Sequence, residues 1–194
     1  MVPPSRPHSP PYFFGYGSLV NTATHDYLDP QPAQLEGWRR CWCHTPLRDV
    51  AFLSVEPAPG HQIDGLIAAV PDADWQALDA REFAYDRLPA NHQITHALAG
   101  DPEISLYTVP LASQTPGSHR HPILLSYLDV VVQGHLQVFG AAGVAEFFAS
   151  TRGWDAPILN DRPAPRYPRH QRLSRTEQEL VDHHLAQLNA EILS

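Results

Sequence analysis

An α+β fold is the expectation from this sequence, and three observations carry it. Between Tyr12 and Val109, short apolar runs rich in aromatic and branched residues alternate with Gly, Pro and Asp clusters, the pattern of strands joined by turns. Helical periodicity is confined to three stretches, after Asp72, after Pro122 and after Ser174. The 194 residues, 43% hydrophobic and 18% charged, suit one domain with its own core, taken to span residues 12–194.

Met1 to Pro11 holds five prolines and almost nothing to bury, so residues 1–11 read as a flexible or polyproline-like extension. Tyr12 to Phe14 are aromatic and β-favouring, the end of a buried strand. Gly15 and Gly17 then allow a sharp turn, and a strand that breaks into such a turn aims unpaired amides at one spot, where an anion or a polarised carbonyl can sit. An ordinary glycine turn is the plainer alternative. Asn21 to Gln31 is polar and reads as a loop. Ala33 to His44 alternates as a strand, with Trp38, Arg40 and Trp42 on one face and Arg39, Cys41 and Cys43 on the other. Val50 to Val55 and Ile63 to Val70 read as two strands joined by a turn at Pro57-Ala58-Pro59-Gly60.

Asp72 is placed to cap a helix in which Trp75, Leu78 and Glu82 fall at i, i+3 and i+7. That spacing turns the Glu82 carboxylate toward the core. An inward carboxylate is costly unless paired or protonated, and a raised pKa suits a general base and acid near neutrality. A buried ion pair with Arg81, Arg87 or another arginine is the structural alternative. Asn91 to Leu98 and Glu103 to Val109 return to strand, and Leu111 to His121 is a polar loop. Pro122 suits a first helical turn, followed by an apolar stripe of Ile123, Leu124, Tyr127, Leu128, Val131 and Val132. The Tyr127 hydroxyl, if buried, needs a partner: a substrate carboxylate or, more commonly, a backbone carbonyl. Gly140 and Gly143 separate this helix from a shorter one over about Val144 to Ser150. The prolines of Arg152 to Arg172 prevent regular structure, so this stretch either packs on the surface or covers the mouth of a pocket. Ser174 and Glu177 form a capping box, and the last helix presents Leu180, Val181, Leu185, Leu188 and Ile192 to the core.

Composition narrows the function classes. A formal charge of −8 argues against nucleic acid or an anionic membrane surface as partner. All 13 Lys+Arg positions are arginine, which excludes lysine Schiff-base chemistry and a P-loop. Cys41 and Cys43 share a strand face, where they are badly placed to bridge and read as reduced thiols. No stretch approaches a transmembrane length and the N-terminus lacks a signal-peptide core, so a cytoplasmic location is the default. Twelve histidines invite a metal, but His92/His96, His119/His121 and His183/His184 each lack the spacing or further ligands of a zinc site. Ser18 sits in no G-x-S-x-G elbow, so a serine hydrolase is disfavoured.

Phe14-Gly15-Tyr16-Gly17-Ser18-Leu19 resembles the signature near the start of gamma-glutamylcyclotransferase-like proteins, including their ChaC-type branch, which acts on glutathione. Leu78-Asp79-Ala80-Arg81-Glu82-Phe83-Ala84-Tyr85-Asp86-Arg87 resembles the segment carrying that family's catalytic glutamate, in the same order and at a comparable separation. The resemblance covers the first half of the chain well and the second half loosely. It implies a compact, barrel-like mixed sheet with flanking helices. It also implies a reaction, intramolecular cyclisation of a small γ-glutamyl compound to 5-oxoproline with release of an amine or amino acid. Glu82 would be the general base and acid, and the backbone amides of Tyr16, Gly17, Ser18 and Leu19 would hold the glutamyl part by its carboxylate or carbonyl oxygen. Tyr85 and Tyr127 would add pocket hydroxyls, and no metal or organic cofactor is required. Two features depart from the family pattern: Phe83 stands where a glycine often follows the glutamate, and Tyr85 follows after only three residues. A catalytically silent binding or interaction domain with the same pocket is the alternative function.

Overall fold

The computed structural model describes residues 10–194, so nearly all of the proline-rich extension lies outside the described residues. Pro11 is already tied to the body, its carbonyl accepting the Val70 N–H at 2.8 Å.

β1 (Tyr12–Gly15) is flanked by the long β3 (Phe52–Ala69), antiparallel to it, and by β6 (Ile104–Thr108), which runs parallel. β2 (Leu28–Cys43) pairs outside β3, and β5 (Ile94–His96) pairs outside β2. β4 (Asp86–Pro89) closes the other side against β6. The strand order is thus β4-β6-β1-β3-β2-β5, a mixed sheet curled into a half-barrel with β4 and β5 as its edges. The centre falls to β1 because both its faces are apolar. Tyr12 and Phe14 enter the main core, which α2 (Leu125–Ser150) fills with Leu128, Val131 and Val132. Phe13 enters a second core with Ala68, Val70 and Tyr107, covered by Leu78 of α1 (Trp75–Arg81).

Several boundaries differ from those expected, each for a local reason. Val50–Val55 and Ile63–Val70 are not two strands around a turn; both halves pair with β2 as one strand. Glu36 faces Gln62 and Trp38 faces Pro57, so Ala58 to His61 bulge opposite Gly37. A bulge tolerates the missing N–H of Pro57 and Pro59, and Gly37 and Gly60 supply its positive φ values of 79° and 82°. β2 also begins earlier than expected, at Leu28 rather than Ala33. Of the strand expected over Asn91–Leu98, only β5 forms, after a 3₁₀ turn at Asn91–Gln93. Asp72 does not cap the first helix: it lies in a 3₁₀ turn, and Asp74 caps instead, accepting the Gln76 N–H at 3.1 Å.

α2 starts at Leu125 rather than Pro122, because Ile123–Leu124 form β7 in parallel pairing with β8 (Ile158–Leu159). Gly140, at φ 67°, breaks α2 as the glycines suggested. α3 (Arg175–Gln187) ends earlier than its apolar spacing implied. Asn189 takes a positive φ, the Ala190 N–H returns to Leu185 O at 3.0 Å, and Ile192–Leu193 continue as β9 beside β8. The expected capping box is present, with Ser174 and Glu177 bonding each other's backbone N–H. One helix does reach membrane-crossing length and apolarity, contrary to expectation: α2, with a mean hydropathy of 1.2 over its most apolar window. That window is 56% buried within this structure, as befits a helix filling a sheet's concave face.

Candidate functional site

β1 delivers its C-terminal end into the Gly15–Leu19 turn, and four contacts fix that turn. Ser18–Val20 forms a 3₁₀ turn whose exit residue, Asn21, is fully buried. Its side-chain amide donates to Val130 O and Gln133 Oε1 of α2, both at 3.0 Å. Arg40 of β2, 1% exposed, donates from Nε to Tyr16 O at 3.0 Å and from a terminal nitrogen to Asp64 O. Among the described residues no carboxylate forms an ion pair with this guanidinium, and burial lowers its pKa to about 10. His135 lies 3.2 Å from the same group, and burial lowers its pKa to about 3, so the pair carries one positive charge rather than two.

Gly17 is required at its position by a close approach. A Cβ there would lie 2.8 Å from the Tyr127 hydroxyl and 3.2 Å from Leu53 Cδ2. The turn and α2 therefore meet at one oxygen, that of the Tyr127 hydroxyl.

Glu82 sits one residue beyond α1, its N–H still bonded to Leu78 O at 2.9 Å and its own carbonyl turning the chain toward Tyr85. The helix therefore aims Glu82 inward, as spacing implied, but from its C-cap rather than from within. Arg81 Nε donates to Glu82 Oε1 at 3.1 Å, so the expected arginine alternative is also present in part. The same guanidinium reaches Thr24 O at 3.0 Å, Thr24 Oγ1 at 3.1 Å and Ser18 Oγ at 3.5 Å, stapling the catalytic-type helix end to the glycine turn. The Glu82 side chain is 16% exposed. Burial raises its pKa above the ordinary carboxylate value, against the opposing pull of Arg81, Arg169 and Arg48.

Two adjoining cavities meet at this point. The outer, about 140 Å³, is walled by Glu82, Tyr85, Tyr127, Leu53 and Ser18 and roofed by Arg166 to Arg169. The inner, about 30 Å³, lies under Phe14–Leu19 and shares Ser18, Leu53, Glu82, Tyr85 and Tyr127 with the outer one. Together they form a slot with a carboxylate at its waist.

All seven residues singled out from sequence line this slot. Tyr16 turns its hydroxyl away, donating to Tyr107 O at 2.7 Å, and Leu19 packs into the second core. Tyr85 donates to Leu53 O at 2.9 Å, which holds the wall rather than offering a free donor. Burial raises the pKa of Tyr16, Tyr85 and Tyr127, so all three stay neutral hydroxyls. Phe83 is 53% exposed at the mouth, stacked under Arg48 at 4.6 Å, and does not narrow the inner slot.

Sequence reasoning missed Arg40, Asn21 and Asp161. The Asp161 carboxylate accepts from Ser126 N–H at 2.7 Å, Ser126 Oγ at 2.6 Å and Arg166 N–H at 2.9 Å, capping α2 from the proline-rich stretch Arg152 to Arg172, which is not irregular throughout because it contains β8. That segment was weighed as surface packing or as a cover, and Arg166 to Arg169 roof the outer cavity. Proline density could flag the irregularity but not the anchor. Among the described residues, no group of three or more His, Cys, Asp or Glu is clustered so as to hold a metal ion.

Three solved structures share the fold. A protein described as gamma-glutamyl cyclotransferase matches with a TM-score of 0.59 and 12% identity, over 90% of this chain and 99% of that one. YkqA from Bacillus subtilis matches at 0.58 and 17% identity, over 75% of this chain and 56% of that one. An uncharacterized Homo sapiens protein, loc79017, matches at 0.57 and 14% identity, over 88% and 97%. No curated protein matches the chain at the level of sequence. A family model described as "Gamma-glutamyl cyclotransferase, AIG2-like" matches residues 13–124, more than half the chain and both segments that build the slot. The chain belongs to the AIG2-like gamma-glutamyl cyclotransferase family.

Proposed function

We propose that this protein cyclises a small γ-glutamyl compound, releasing 5-oxoproline and an amine or amino acid, with Glu82 as the proton-transfer group. Family membership and fold support a cyclotransferase-like activity. The single observation that carries the residue-level reading is the position of Glu82, a buried carboxylate of raised pKa at the waist of the slot, facing the glycine turn.

The chemistry needs no external nucleophile. The substrate's α-ammonium gives a proton to the free oxygen of Glu82, and the amine lone pair attacks the γ-carbonyl carbon to close a five-membered ring. Glu82 hands that proton to the departing nitrogen as the γ C–N bond breaks and its electron pair leaves with that nitrogen, and the ring nitrogen's second proton then passes through the same carboxylate to the freed amine, giving a neutral lactam and an ammonium. Charge developing on the carbonyl oxygen is met by backbone N–H groups of the Gly15–Leu19 turn. Arg81 keeps one Glu82 oxygen occupied, which leaves the other as the proton carrier. The folded substrate fits a two-chambered slot, glutamyl part inward and leaving group outward.

The test is 5-oxoproline release from a panel of γ-glutamyl substrates, glutathione included, by the wild type and by Glu82→Gln. Loss of turnover by about 10²-fold or more with substrate binding retained supports the reading. Unchanged turnover in the variant removes Glu82 from the chemistry, and no release by the wild type across the panel sinks the activity in favour of a silent binding domain.

A further inference from the structure

The outer cavity carries a charge imbalance that ring closure does not use. Four arginines line it, Arg48, Arg81, Arg166 and Arg169, and Glu82 is the one acidic residue among its walls. Arg81 is committed to Glu82. The other three are exposed at the mouth, and none forms an ion pair among the described residues; Arg40, Arg120 and Arg172 are likewise unpaired but line neither cavity of the slot, and Arg39, Arg87, Arg152, Arg162 and Arg175 are paired. Such a concentration of free cations is conspicuous on a chain whose formal charge is −8. Each is held by a different device. Arg48 lies over the Phe83 ring at 4.6 Å, and the Arg166 N–H is tied to Asp161. Arg169 follows Tyr167, whose ring packs edge-on against Tyr127 at 5.0 Å.

We infer that the leaving amine is polyanionic: an acidic amino acid or peptide bearing two or more carboxylates, docked against Arg48, Arg166 and Arg169. This rests on the cyclotransferase reading and extends it from the glutamyl end of the substrate to the other end. The bound glutamyl unit is a zwitterion, its carboxylate balanced by its ammonium, so it leaves the three mouth cations uncompensated. A leaving group with one carboxylate compensates part of that charge and one with two compensates more. A neutral or cationic amine compensates none and, if cationic, meets repulsion.

The experiment is a charge ladder. Wild-type kcat/KM for 5-oxoproline release is compared for γ-glutamyl-glutamate, γ-glutamyl-alanine, γ-glutamyl-alanine amide and γ-glutamyl-ethylamine. Each carboxylate removed should lower kcat/KM by roughly 3- to 10-fold, mainly through KM, and 0.5 M NaCl should compress the ladder because exposed pairs are screened. The double variant Arg166→Gln/Arg169→Gln, with folding checked by thermal melt, should draw the acidic substrates toward the neutral ones. Equal or better turnover of the neutral substrates overturns the inference while leaving the cyclotransferase reading intact, and so does an unaltered ladder in the double variant. If no substrate yields 5-oxoproline, titration calorimetry of γ-glutamyl-glutamate and γ-glutamyl-ethylamine decides separately. Tighter binding of the former, weakened by the double variant, supports the basic mouth, and equal affinities overturn it.

Discussion

Replacing Gly17 with alanine tests the slot at its narrowest point. The added methyl would stand 2.8 Å from the Tyr127 oxygen, where an ordinary carbon–oxygen contact is about 3.3 Å, so something must yield by about 0.5 Å. Tyr127 is packed between Trp42 at 5.9 Å and Tyr167 at 5.0 Å, so its ring does not move freely. Overpacking of this kind costs about 1–3 kcal/mol, which for a chain of this length lowers Tm by roughly 2–12 °C. Displacing the turn from Glu82 by a fraction of an ångström should lower kcat by about tenfold, up to 10²-fold. The informative experiment is the double-mutant cycle with Tyr127→Phe, read by thermal melt and by 5-oxoproline release. Deleting the hydroxyl removes the oxygen the methyl strikes and leaves Leu53 Cδ2 at 3.2 Å and Tyr127 Cζ at 4.0 Å as nearest neighbours. Tyr127→Phe alone removes one hydroxyl from the slot wall and should cost about 1 kcal/mol. The two penalties should then fall short of additivity by about 1 kcal/mol or more. Full additivity would refute the argument that the turn and α2 meet at that oxygen.

Three further outcomes follow from the same geometry. Because burial raises the Glu82 pKa, the folded state holds its proton to higher pH than the unfolded chain. Its contribution is fully present below the ordinary value of 4.5 and is lost as pH rises through the raised pKa. Glu82→Gln should therefore gain Tm over the wild type at neutral pH and lose that gain toward pH 4. The acid limb of wild-type kcat/KM should lie above the ordinary glutamate pKa, and a limb at or below it would exclude Glu82 as the base. Arg40→Met should cost about 2–5 kcal/mol in urea unfolding, since the Tyr16 and Asp64 carbonyls both lose a buried donor, and a near-neutral result would show that water replaces it. Asp161→Ala should cost roughly 2 kcal/mol or more and raise KM more than it lowers kcat. It removes the cap of α2 and the Arg166 anchor together, whereas a pure loss of stability with kinetics intact would separate the roof from the slot.

What could be read from sequence was what depends on short spans. The aromatic run before Gly15, the alternation around Trp38 to Cys43 and the Trp75–Leu78–Glu82 spacing each encode direction within a few residues, and each directed its side chains as expected. The boundaries that moved depend on partners far along the chain. Pro57 to Gly60 carries every local mark of a turn, yet β2 holds both flanking halves in one ladder and turns the prolines into a bulge. Pro122 suits a helix start, but Ile123–Leu124 are drawn into pairing with Ile158–Leu159, and α2 waits until Leu125.

The same division runs through the site. Glu82 was legible because a helix of period 3.6 points it, whereas Arg40 was not, because a buried arginine on a strand face looks like any other until the carbonyls it serves are known. Tyr16 divides the same way: its backbone stays with the turn, as the motif implies, while its hydroxyl serves Tyr107 O, a partner 91 residues on that no local pattern shows. In this fold the glycine turn and Glu82 come from the two motifs, whereas Leu53, Tyr127 and the Arg166 to Arg169 stretch complete the slot from elsewhere. Arg40, Asn21 and Asp161, which line neither cavity, hold these parts in place, and substitutions there should behave as activity variants without touching the substrate.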